Sequence, residues 1–161
     1  MLRLSKKTDY ALIALKDLAS SPAATSCSAR EIAARYDIPV ELMAKVLQRL
    51  ARRGLLESHQ GTRGGYKLSR SADRISVADV IQAIDGPVLV TACSDEDETC
   101  EQYSKCNVRD PLWRLKDRIV QALVSFTLQE LAEDDDAQST FPVLMASGEI
   151  TSAPTSERSA D

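Results

Sequence analysis

SAREIAARYDIPVELMAKVLQRLARRGLLESHQGTRGGYKL, residues 28–68, is the stretch whose reading decides the fold. Ser28 and Glu31 form a capping box, in which the serine oxygen accepts from the amide three residues on and the glutamate answers back. A short helix therefore starts here and runs to about Tyr36. Asp37-Ile38-Pro39 is a turn, and Pro39 suits a helix start. The next helix runs to about Arg53, where Gly54 ends it. Leu42, Met43, Val46, Leu47 and Leu50 form its apolar face, while Glu41, Lys45, Gln48, Arg49 and Arg52 face outward. Two strand-like segments follow, Leu55–Gln60 and Tyr66–Ser69, joined by Gly61-Thr62-Arg63-Gly64-Gly65. Helix, tight turn, basic helix and glycine-rich hairpin come in the order of a winged helix-turn-helix, whose second helix enters a major groove.

Charge agrees with that reading. Residues 1–70 carry 13 Lys+Arg against 6 Asp+Glu, and residues 71–161 carry 7 against 18. A basic front half is the electrostatic footprint of a polyanion partner; an uneven solvated surface is the plainer alternative. Lys45, Gln48 and Arg49 are chemically suited to base edges and phosphates, and Arg63 on the wing can reach a phosphate or the minor groove.

Working outward, residues 5–20 predict a helix capped by Ser5 and stopped by Ser20-Ser21-Pro22. Ser76-Val77-Ala78-Asp79 opens another, closed by Asp85-Gly86-Pro87. Asp110 and Pro111 open a longer helix predicted to reach about Leu131. Leu112, Leu115, Ile119, Ala122 and Phe126 repeat along it at heptad spacing, and Trp113, Val120, Leu123 and Leu131 make a second stripe. A helix apolar on two sides has to bury both. One side can pack on its own domain and the other on a second copy, which makes a two-fold homodimer that sets two wings on a palindromic operator. Burial of the whole helix inside a monomer is the alternative. The expected fold class is mainly α with a small β-hairpin wing: a winged helix-turn-helix plus a long dimerisation helix.

Three of the four cysteines, Cys93, Cys100 and Cys106, lie in one acidic stretch poor in apolar residues. Such a loop needs a reason to hold a shape, and thiolates binding a metal or an iron–sulfur cluster supply one. A thiol-redox switch or a zinc site uses the same residue type, although the spacing differs from the short Cys-x-x-Cys knuckles usual for zinc. Cys27 stands apart and is expected to be a bystander; His59, on the hairpin, is a poor ligand candidate. No run approaches a membrane span and the amino terminus lacks the apolar run of a signal peptide, so the expectation is a cytoplasmic protein with no membrane partner. No nucleotide-binding glycine loop or catalytic histidine constellation points to an enzyme. The expected organisation is a DNA-binding domain over 1–86, a cysteine loop over 87–110, a dimerisation helix over 111–132 and a disordered acidic, Ser/Thr/Ala-rich tail over 133–161.

The opening Arg3-Leu4-Ser5-Lys6-Lys7-Thr8-Asp9-Tyr10-Ala11-Leu12, the segment Ile32–Pro39, the hairpin Gly61–Leu68 and the cysteine triplet together resemble the Rrf2 family of bacterial transcription regulators over about residues 2–131. The family includes regulators of the Isc and Suf iron–sulfur assembly operons and a nitric-oxide-sensing repressor, and the Suf-system regulators are the most similar in appearance. The resemblance implies a dimeric winged-helix repressor of promoter DNA. Its iron–sulfur cluster, 2Fe–2S or 4Fe–4S, would sense cluster status, oxygen or nitric oxide and control the suf operon. It also implies that Cys93, Cys100 and Cys106 are the thiolate ligands. The Isc-type regulator has a histidine three residues after its last cysteine, where this chain has Arg109. The nitric-oxide sensor uses an aspartate of the opening helix, given by the partner subunit, and Asp9 occupies that place. Gln60 stands where many members have arginine, so Arg63 takes over that contact, and Glu41 and Lys45 sit where members touch bases.

Overall fold

The computed structural model describes residues 3–21, 25–61, 64–89 and 105–133. Helix α1 (Lys6–Ser20) is capped by Ser5, whose hydroxyl accepts from the Thr8 amide. Helix α2 (Ala29–Arg35) opens with the expected capping box, with the Ser28 amide donating to Glu31 at 2.7 Å and the Glu31 amide donating back at 3.2 Å. Those two bonds, backbone then side chain, hold Glu31 below the usual carboxylate range. Asp37 turns the chain in the left-handed region at φ 51°, which a short polar side chain tolerates, and Ile38 closes the turn on the Ala33 carbonyl at 2.9 Å. Helix α3 (Val40–Arg52) follows directly.

Strands β1 (Leu56–His59) and β2 (Gly65–Leu68) pair antiparallel, with Leu56 opposite Leu68 and His59 opposite Gly65. The wing is wider at its base than the hairpin pattern implied. Cys27 pairs with Tyr66 through two backbone bonds, 3.1 and 2.9 Å, on the other edge of β2. This close approach explains Gly65: a Cβ there would sit 2.6 Å from the Cys27 carbonyl oxygen. The glycine serves backbone-to-backbone contact inside the domain. Cys27 itself is buried in the core, so the expected bystander is a packing residue.

A 3-10 turn (Ala72–Arg74) leads to α4 (Val77–Ile84), whose Ser76–Asp79 capping box forms as the pattern required. The core lies between α1, α2, α3, α4 and the wing, and Leu15, Ile32, Met43, Leu47, Leu50, Ile75 and Val80 are fully buried in it. Asp17, also buried, receives the Arg35 guanidinium and, at 2.9 Å, the Tyr36 hydroxyl, which ties α1 to α2.

The long helix expected over residues 111–132 is divided. Helix α5 (Arg109–Ser125) starts two residues early, so Asp110 lies in its first turn instead of capping it. The helix stops at Phe126, and α6 (Leu128–Glu133) begins after Thr127. The cause is another capping box. Glu130 accepts from the Thr127 amide at 2.7 Å and its hydroxyl at 2.9 Å, and these bonds lower the Glu130 pKa. Backbone bonds from Val77 to Phe126 and from Leu128 to Ile75, both 2.9 Å, fasten the junction to the start of α4. Leu128 is fully buried and α6 packs on α1, so the chain after α5 returns to the winged domain.

Candidate nucleic-acid interface

Helix α3 separates its residues as a surface helix should. Met43, Val46, Leu47 and Leu50 are buried; Leu42 is half-buried. Glu41, Lys45, Gln48 and Arg52 recur at four and three residues and so share one outer face, and all four are exposed. Arg49 is exposed as well, but its Nε donates to the Ala83 carbonyl at the end of α4, 2.9 Å away. Arg49, which its chemistry suits to base edges and phosphates, is therefore anchored at one nitrogen, and the bond orients the rest of its guanidinium. Lys7 of α1 reaches the same region: with Lys45, Gln48, Arg49 and Arg52 it lines a groove of about 240 Å³.

On the wing, Gln60 is exposed just beyond β1, and Lys67 and Glu57 pair across the strands at 3.2 Å. Arg63 lies outside the described residues, as do Cys93 and Cys100. Cys106 is half-buried just before α5, and Asp9 is exposed in the first turn of α1. Among the described residues, no group of three or more His, Cys, Asp or Glu side chains is arranged to hold a metal ion. The donor types still suit iron: an accessible thiol and an accessible carboxylate, with two further thiols in the adjoining sequence.

Sequence reasoning missed Asp85. Its carboxylate accepts from the Ser5 amide at 3.0 Å, the Ser5 hydroxyl at 2.6 Å and the Thr8 hydroxyl at 2.8 Å. Partial burial disfavours its charge, but the bonds from Ser5 and Thr8 and the nearby positive charge of Arg49 outweigh that and lower its pKa. One side chain thus joins the first turn of α1, which carries Lys7 and Asp9, to the end of α4. Through Ala83 and Arg49 that end is joined to α3. The only sequence signal was an acidic residue after a helix, which also fits an ordinary turn.

Helix α5 has no buried residue. Leu112, Ile119, Val120 and Leu123 are half-buried, whereas Trp113, Leu115, Ala122, Val124 and Phe126 are exposed. Cavities of about 840 and 410 Å³ are lined by residues of both α4 and α5. No helix among the described residues is long and apolar enough to cross a membrane.

Comparison with known proteins places this geometry. The family model Rrf2, described as an iron-dependent transcriptional regulator, matches residues 4–134. The HTH-type transcriptional regulator IscR of Xenorhabdus nematophila is 35% identical over 136 residues, covering 84% of this chain and 82% of the relative. The structure of CymR (YrzC), the global cysteine regulator of B. subtilis, superposes with a TM-score of 0.69 at 30% identity, over 84% of this chain and all of that one. The oxidized form of Staphylococcus aureus CymR gives a TM-score of 0.64 at 28% identity, over 84% and 99% of the two chains.

Proposed function

We propose a function for this chain, which belongs to the Rrf2 family of iron-dependent transcriptional regulators: it is a homodimeric repressor whose hold on a palindromic promoter site follows the state of an iron–sulfur cluster. As a family member it is a DNA-binding transcriptional regulator and not an enzyme. The observation that carries the reading is the exposed outer stripe of α3, Glu41, Lys45, Gln48 and Arg52, standing on a rigid buried face. A helix fits the major groove, about 12 Å wide. There Lys45 and Gln48 donate to base edges, Glu41 accepts from a cytosine amino group, and Arg49 and Arg52 contact phosphate. Gln60 and Arg63 extend the contact from the wing.

The exposed apolar side of α5 supports the dimer. Leu115, Ala122 and Phe126 are the uncovered members of the heptad stripe, Leu112 and Ile119 its half-covered ones. A second copy on this face gives a two-fold axis, and two α3 helices then meet successive major-groove faces of one operator.

Cys93, Cys100 and Cys106 would hold the cluster, with the Asp9 carboxylate of the other subunit as fourth donor. When bound, the group supplies an iron with one hard, weak ligand, open to oxygen or nitric oxide. The protein's own part is mechanical. Asp9 shares a turn with Thr8; Thr8 and Ser5 bind Asp85; and Ala83 binds Arg49 of α3. A pull on that turn biases the pose of the reading helix, which is how two ligands couple through one two-state element. Control of the suf iron–sulfur assembly operon completes the reading, supported by the family opening, wing and cysteine triplet.

Anaerobic purification with iron and sulfide analysis tests this, beside a Cys93→Ser, Cys100→Ser, Cys106→Ser variant and Asp9→Ala. The expected result is iron and acid-labile sulfide in the wild type, none in the triple variant, and a different grip on a suf promoter fragment. A colourless wild type that binds the promoter identically to the triple variant refutes it. The likeness to an oxidized CymR favours a second reading, in which the same cysteines are a thiol-redox switch; iron-free protein whose DNA affinity changes reversibly with dithiothreitol supports that one.

A further inference from the structure

We propose that α1 contributes a contact to the DNA backbone through Lys7, making a phosphate-binding arm beside the reading helix. The proposal rests on α3 being the helix that faces DNA. Lys7, Lys45, Gln48, Arg49 and Arg52 line one groove, and no residue lining it is acidic. Four cations of one sign gather there, and none of them is in a salt bridge among the described residues. Asp85 is the acidic group whose field reaches Arg49, but its carboxylate is already occupied by Ser5 and Thr8. Like charges held together repel, and a polyanion relieves the repulsion.

Two features make the groove a built site instead of a chance gathering of mobile side chains. The turn that carries Lys7 is fixed at both ends of its bonding: Ser5 caps it and Asp85 clamps Ser5 and Thr8. Arg49 is oriented by its bond to Ala83. The ligand class is a phosphodiester flanking the major groove that α3 enters. Because the contact is to backbone, it strengthens binding to every sequence alike and does not choose among them.

The test is fluorescence anisotropy of the full-length chain on two duplexes of three helical turns, a suf promoter fragment and a random sequence, over a range of KCl. The variants are Lys7→Gln, Lys7→Arg, Lys45→Gln and, as a remote control, Arg74→Gln on the 3-10 turn, with circular dichroism to verify folding. Lys7→Gln is expected to lower the salt slope by about 0.9 per protomer and the affinity by about fivefold per protomer at about 0.15 M salt, equally on both duplexes. Lys7→Arg keeps the wild-type slope, and Arg74→Gln changes nothing. A Lys7→Gln protein with wild-type slope and affinity, while Lys45→Gln loses both, removes α1 from the interface and leaves the reading of α3 intact. Loss on the promoter alone also overturns the proposal, since a backbone contact has no sequence preference. If Lys45→Gln binds as the wild type does, the α3 reading falls and the arm falls with it.

Discussion

Replacing Asp85 with alanine is expected to loosen the joint between α1 and α4 and to cost about 2–3 kcal/mol of stability. The magnitude follows from what the carboxylate holds. Two of its bonds, from the Ser5 amide and hydroxyl, are solvent-exposed. Water replaces much of their value, leaving about 0.5 kcal/mol each. The third comes from the Thr8 hydroxyl, and Thr8 is fully buried. Stranding a buried hydroxyl costs about 1–2 kcal/mol. Urea unfolding of the full-length chain measures the total, with the midpoint lowered and the slope unchanged. Asp85→Asn, which keeps one acceptor oxygen, should lose about half as much. A double-mutant cycle with Thr8→Val should show a coupling of about 1 kcal/mol, because both changes remove the same bond.

The sign of the pH dependence is also determined. Asp85 is depressed from its ordinary value of 3.8. Its contribution is therefore complete above that value and is lost as pH falls through the lower, folded pKa. Asp85→Ala should consequently lose less stability than the wild type on acidification below about pH 4. A cost under about 0.5 kcal/mol, or a coupling of zero with Thr8→Val, would refute the clamp.

The remaining predictions concern the wing, the α5–α6 junction and α5. Gly65→Ala pushes a Cβ to 2.6 Å from the Cys27 carbonyl oxygen; backbone has to move, and thermal or urea unfolding should show a loss of about 1–3 kcal/mol. Thr127→Ala removes the cap of α6, for a loss of about 1 kcal/mol by the same measurement, and limited proteolysis should cut sooner between α5 and α6. Leu115→Glu changes a side chain that is 47% exposed in the single chain. It should leave circular dichroism unaltered while sedimentation shifts from dimer to monomer; a variant that stays dimeric moves the interface off this face.

Much of the fold was legible because its signals are local. The capping boxes at Ser28–Glu31 and Ser76–Asp79 need only hydrogen bonds within one turn, and they form as written. The two faces of α3 follow from helical period alone. A third box, Thr127-Leu128-Gln129-Glu130, was equally visible in the letters. The apolar period running through it masks the break, because Leu128 and Leu131 continue the stripe past it. The outer residues of α3 could be named from sequence, but the anchoring of Arg49 could not.

The order of elements, the caps and the polar face of α3 were thus set by residues within a few positions of each other, where backbone geometry leaves few choices. Tertiary structure alone decided that Asp85 binds a turn eighty residues before it, that Arg49 leans on α4, and that Cys27 borders the wing with Gly65 beneath it. It also decided that Leu128 turns back into the core. Each of these joins groups distant in the chain, and such meetings depend on how whole elements pack, which no local pattern of letters records.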